Sequence, residues 1–88
     1  MQYYGVLASM KARKGVGALR LSQLGQAIRL RRKQLGLSQE GLAEVVDCHR
    51  NYVGKVERGE QNLTIQMLLR FARALKCDAS SLLRESDM

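Results

Sequence analysis

Between Ser22 and Asp78, residues that start helices alternate with residues that end them, leaving room only for short helices joined by tight turns. Ser22 can cap a helix, about 22–35, in which Leu24, Ala27, Ile28, the aliphatic stem of Arg31 and Leu35 recur at helical spacing. Gly36 stands where a left-handed residue would end it. Ser38 follows at once and caps a second helix, about 38–45, which opens with Gln39 and Glu40 and carries Leu42, Ala43 and Val46 inward. Gly41 weakens that helix by about 1 kcal/mol relative to Ala unless close packing uses the missing side chain. Asp47, Cys48 and His49 form a short connection to a third helix that runs to about Arg58 and stops at Gly59. That spacing is what a helix-turn-helix requires. After the polar loop from Glu60 to Leu63, Thr64 can cap a fourth helix with Ile65, Leu68, Ala72 and Leu75 as its stripe, and Asp78 a short fifth holding Leu82 and Leu83.

A chain of 88 residues holds one small domain, whose burial is marginal enough that a dimer partner would help it. With 45% hydrophobic residues, no Pro, no Trp and one Phe, an all-α domain is expected. Residues 1–21 contain Gly5, Gly15 and Gly17 and no clean helical period, although Val6, Leu7 and Met10 could make a short helix. They read as a basic extension, partly ordered at best, ahead of a domain at 22–88. The YYGVLASM run lacks the basic segment of a signal peptide, and no apolar run approaches the ~20 residues of a membrane helix. The expectation is a cytoplasmic protein without membrane association, with Cys48 and Cys77 as half-buried thiols rather than metal or redox ligands.

Charge narrows the partner. The net charge is +7, yet the first acidic residue is Glu40, so residues 1–39 hold eight basic side chains and no acid. The remainder holds seven basic and eight acidic residues. Such asymmetry points to a polyanion partner or a basic arm, against the plainer alternative of a basic tail on an otherwise ordinary domain.

The third helix separates into two sides. At ~100° per residue, Arg50, Gly54, Arg58, Asn51 and Lys55 fall within an arc of about 140°, and Val53, Val56 and Tyr52 occupy the opposite arc. Arg and Lys match guanine O6 and N7, Asn can pair with adenine N6 and N7, and a glycine lets the backbone approach a groove wall. A solvated helix face would collect the same residue types, so the specificity lies in the caps, turns and apolar positions around it.

Those surroundings, the LGLSQ junction, LAEVV, the ERG ending of the third helix and the NLTI start of the fourth, resemble the five-helix DNA-binding domain of lambdoid phage repressors and Cro-like (XRE) regulators over about 22–83. The resemblance implies base contacts from Arg50, Asn51, Gly54 and Lys55, with His49 close enough to join them. It implies backbone contacts from Gln39, Tyr52, Arg58, Asn62 and Thr64, with Gln39 also buttressing the reading helix. Arg32 and Glu57 match a pair that joins the first and third helices in several relatives; two independent surface charges are the alternative. RNY together with EQNLTI is most similar to the small controller proteins of restriction–modification systems. The chain departs from the pattern at Asp47, where glycine is common, and at Cys48 and His49, which replace a small polar pair.

The resemblance thus implies a sequence-specific transcriptional regulator that binds a two-fold-symmetric operator in double-stranded DNA as a homodimer. An antitoxin or bridging coactivator acting mainly through protein contacts is the alternative. Leu69, Phe71, Leu82 and Leu83 exceed the apolar content one small core needs and are expected to supply the two-fold contact, unless they complete the monomer core. Lys11, Arg13 and Lys14 either track phosphates as an arm or are solvated. One His, no phosphate loop and no metal spacing give no basis for an enzyme, a cofactor or a metal.

Overall fold

The computed structural model describes residues 20–86; the expected extension, apart from its last two residues, lies outside the described residues. Among them are five helices and no strand: α1 Leu21–Gln34, α2 Gln39–Val46, α3 Arg50–Glu57, α4 Ile65–Ala74 and α5 Ala79–Ser86. α1 packs against α3 and α5, α2 against α3 and α4, and α4 against α5. Leu24 and Ile28 of α1, Leu42 and Val46 of α2, Val53 and Val56 of α3, Phe71 of α4 with Leu75 beyond its end, and Leu82 of α5 are each at most 2% exposed. Each such side chain contributes about 1.5–3 kcal/mol on burial, which a domain this small needs against chain entropy.

The helix ends follow a common scheme. Ser38 Oγ accepts the Gly41 N–H at 2.9 Å, and Thr64 Oγ1 accepts the Met67 N–H at 3.1 Å. α1, α3 and α4 each close on a left-handed residue, Gly36, Gly59 and Lys76 at φ 73°, 76° and 59°. In each, the next N–H returns to a carbonyl of the last turn: Leu37 to Arg32, Glu60 to Lys55 and Cys77 to Ala72. Asp47, at φ 69°, ends α2, and its N–H and that of Cys48 both reach the Ala43 carbonyl.

Several expectations are corrected. Arg20, not Ser22, precedes the first helical residue, and it makes no side-chain cap. Ser22 instead lies in the first turn of α1 against Gly59, where a Cβ on the glycine would come within 2.6 Å of the Ser22 Cα. Leu35 and Ile65, assigned to apolar stripes, sit at helix ends and are 40% and 76% exposed. Phe71 and Leu82 are wholly buried within the chain, so they cannot form a two-fold contact. The reason is packing: Phe71 lies under Tyr52 with ring centroids 6.3 Å apart, and α5 lies along α1, held by the bidentate pair between Arg31 and Glu85. Leu69 and Leu83 remain exposed.

Candidate nucleic-acid interface

The placement of α3 is decided at one carboxylate. Glu57 Oε2 accepts from Arg32 Nε at 2.6 Å, while its Oε1 accepts from Arg32 Nη2 and from Gln39 Nε2, both at 3.1 Å. Arg32 Nη1 also donates to the Leu37 carbonyl at 2.9 Å, inside the turn between α1 and α2. α1, α2 and α3 are thereby joined through a pair whose members are each 7% exposed. Burying two charges is tolerated because both carboxylate oxygens are bonded and the guanidinium has a further acceptor.

Close approach completes the seat. A Cβ on Gly25 of α1 would lie 2.3 Å from the Val56 carbonyl oxygen and 2.5 Å from that of Glu57, so α1 and α3 cross at a distance only glycine permits. From the other side, Arg70 of α4 donates through Nη2 to the Val46 carbonyl at 2.7 Å and to that of Asp47 at 3.4 Å. It supplies a partner to carbonyls that the end of α2 leaves open. Neither residue was singled out in the sequence. Gly25, inside a helical pattern and next to the buried Leu24, carried a signal; nothing in the sequence distinguished Arg70 from a surface arginine.

On the outer side, His49, Arg50, Asn51 and Lys55 are all exposed along one face. His49 has extended backbone at φ −79° and ψ 146°, and its Nδ1 accepts the Asn51 N–H at 3.0 Å, so an imidazole starts the helix. Gly54 shares the arc of Arg50 and Lys55 but lies beneath other side chains. It is buried, and its missing side chain makes room for Arg58, whose Nη1 lies 3.1 Å from the place of a Cβ, and for Gln39 Oε1 at 3.8 Å. Gly54 thus gives these two side chains room beside α3, and its expected approach to a groove wall stays with the reading of α3 as a DNA-facing helix.

The residues expected at the DNA backbone flank this face. Gln39 is half-buried with one amide hydrogen committed to Glu57; Arg58 is exposed with Nε 3.1 Å from Glu60 Oε1; Asn62 and Thr64 are exposed at the start of α4. Tyr52 is half-buried on Phe71, and burial, reinforced by the nearby Cys48, pushes its phenol up, so the hydroxyl keeps its proton. Burial likewise pushes the Cys48 thiol up against the opposing pull of Arg70.

Short caps, a tight α2–α3 connection and an outward polar face on α3 define a helix-turn-helix. The helix-turn-helix family HTH_3 matches residues 28–82, and the chain belongs to this family. The control protein C.SmaI of Serratia marcescens is 43% identical to it over 60 residues, covering 68% of this chain and 71% of that protein. The crystal structure of the restriction–modification controller protein C.AhdI from Aeromonas hydrophila matches with a TM-score of 0.69 at 42% identity, covering 70% of this chain and 94% of that one. The P22 c2 repressor, solved in complex with a synthetic operator, matches with a TM-score of 0.67 at 32% identity over 70% of this chain and 94% of its own. No described helix is long and apolar enough to cross a membrane.

Proposed function

We propose that this chain is a sequence-specific DNA-binding transcription regulator of the restriction–modification controller type, acting as a homodimer on a two-fold-symmetric operator. The observation that carries the proposal is the division of α3. Val53, Val56 and Glu57 are buried against α1 and α2, while His49, Arg50, Asn51 and Lys55 stand free of the core. Four side chains on a rigidly seated helix suit the major groove, whose base edges offer acceptors to Arg and Lys and a donor–acceptor pair to Asn. Asn62, Thr64, Arg58 and Tyr52 then lie where the phosphate backbone would pass, positioning the helix without reading sequence.

One domain of this size makes few contacts, so affinity calls for two copies whose reading helices enter successive major grooves ~34 Å apart. Leu69 and Leu83, still exposed, are assigned to that two-fold contact. The similarity to C.SmaI and C.AhdI supports the controller assignment, and the P22 c2 repressor with its operator supports duplex DNA as the ligand.

Selection of bound fragments from a random duplex pool tests the proposal. Two inverted half-sites about one helical turn apart are expected, and Arg50→Ala should relax one base position in each at a cost of roughly 1–3 kcal/mol. Absence of any enriched sequence, or equal loss of specific and random DNA by Arg50→Ala, would refute it. Genes for a methyltransferase and an endonuclease beside this one are expected on the controller assignment; a toxin gene there would favour the antitoxin alternative.

A further inference from the structure

His49 at the start of α3 carries a capping bond and an exposed ring edge at once, and the first fixes the chemistry of the second. Its Nδ1 accepts the Asn51 N–H at 3.0 Å. A ring nitrogen that accepts is unprotonated, so in the neutral imidazole the proton sits on Nε2. His49 is exposed, and with Nδ1 committed to the cap its remaining ring nitrogen is a single N–H donor with no acceptor. Arg50 beside it and Lys55 one turn on are also donors only; of the four exposed side chains on this face, Asn51 alone also has an acceptor.

The base pairs differ in how they receive such a donor. Guanine presents N7 and O6 side by side as acceptors in the major groove. Adenine follows its N7 with the N6 amino group, a donor that opposes an incoming N–H; thymine sets its single acceptor, O4, beside the C5-methyl group; cytosine presents only a donor.

We propose that His49 reads a guanine through Nε2–H, its hydrogen-bonding sense set by its own capping bond, and that it acts with Arg50 to make the leading edge of α3 select a guanine-containing half-site. The inference rests on the assignment of α3 as the DNA-reading helix and adds to it the base class and the tautomer. The usual capping residues give a helix the same start with a much shorter side chain. In this chain the cap and the reader are one side chain.

The test compares the full-length chain, His49→Ser and His49→Asp by selection from a random duplex pool, with circular dichroism to verify the helices. Ser and Asp are both strong N-caps, so both variants are expected to keep the helical signal. The wild type should require guanine at a half-site position next to the one relaxed by Arg50→Ala. His49→Ser should lose that preference by about tenfold, the equivalent of one hydrogen bond, and keep the other positions. His49→Asp, which turns an acceptor outward, should reject guanine there more strongly than His49→Ser does. Three outcomes would overturn the inference: an unchanged consensus in His49→Ser, an equal loss on operator and random duplexes, which marks a phosphate contact, or guanine retained in His49→Asp. If the wild type selects no sequence at all, the assignment of α3 falls as well, and that failure is distinct from one confined to His49.

Discussion

At the scale of single residues, the molecule depends most on the buried pair of Arg32 and Glu57. The pair is worth little as attraction alone, because both charges lost their water; its effect lies in what is stranded when one member is removed. Arg32→Met would leave Glu57 buried with only the Gln39 amide, and would leave the Leu37 carbonyl without its guanidinium. The expected cost is about 3–5 kcal/mol by urea denaturation. The double variant Arg32→Met with Glu57→Leu should be destabilised less than Arg32→Met alone, since no charge remains buried. A double variant as damaged as the sum of the two singles would show the charges acting independently. This pairing was legible in the sequence only through the resemblance to relatives, because 25 residues separate the partners and neither periodicity nor charge spacing links them. The cap by His49 was not legible at all. The resemblance places His49 beside the base-reading residues, but nothing in the sequence marks an imidazole as the cap until the Nδ1 bond to the Asn51 N–H is seen.

At the scale of elements, the turns state most openly what the sequence dictates, and two glycines in the same backbone conformation separate two effects. Gly36 and Gly59 both have left-handed backbone, at φ 73° and 76°. A Cβ on Gly36 would meet nothing within 4 Å, whereas one on Gly59 would come within 3.0 Å of three Ser22 atoms. Gly36→Ala should therefore cost about 1 kcal/mol, the price of the conformation alone. Gly59→Ala should cost clearly more, because α1 must also move away from the end of α3. Equal losses in chemical denaturation would mean the α1 contact relaxes freely. Both glycines were readable as stops because glycine is the common left-handed residue. Lys76 was not, since nothing in a lysine announces φ 59°; there the chain is turned by tertiary packing, with Leu75 buried on one side. The same limit explains Phe71 and Leu82. An apolar count registers an excess of large side chains but not which of them the packing of α5 on α1 will cover.

At the scale of the whole molecule, pH and association each give a measurable consequence. Tyr52, Cys48 and Cys77 all have their ionisation pushed up, in each case chiefly by burial. A group whose value is raised on folding adds stability that is complete below its unfolded value and is lost as pH rises through the folded one. The domain should therefore lose stability as pH climbs above the ordinary thiol value of 9.0, and the loss should lessen in Cys48→Ala or Cys77→Ala. Thermal midpoints measured across that range check it. The proposed association would rest on what the core leaves outside. Leu69 is 52% exposed and Leu83 38%, so a charge at Leu69 disturbs no buried contact of the monomer and should change its folding by no more than about 0.5 kcal/mol. At a two-fold contact the same charge would face its own copy, where burying like charges together is strongly unfavourable. On the proposed two-fold contact, the wild type is expected to sediment as a dimer and Leu69→Asp as a folded monomer under the same conditions. The variant should bind a duplex carrying two half-sites little better than one carrying a single half-site, because the second reading helix no longer arrives with the first. Leu82→Asp places its charge in the core instead and should unfold the domain. A Leu69→Asp protein that still sediments as a dimer and still prefers the paired half-sites would move the two-fold contact elsewhere on the surface.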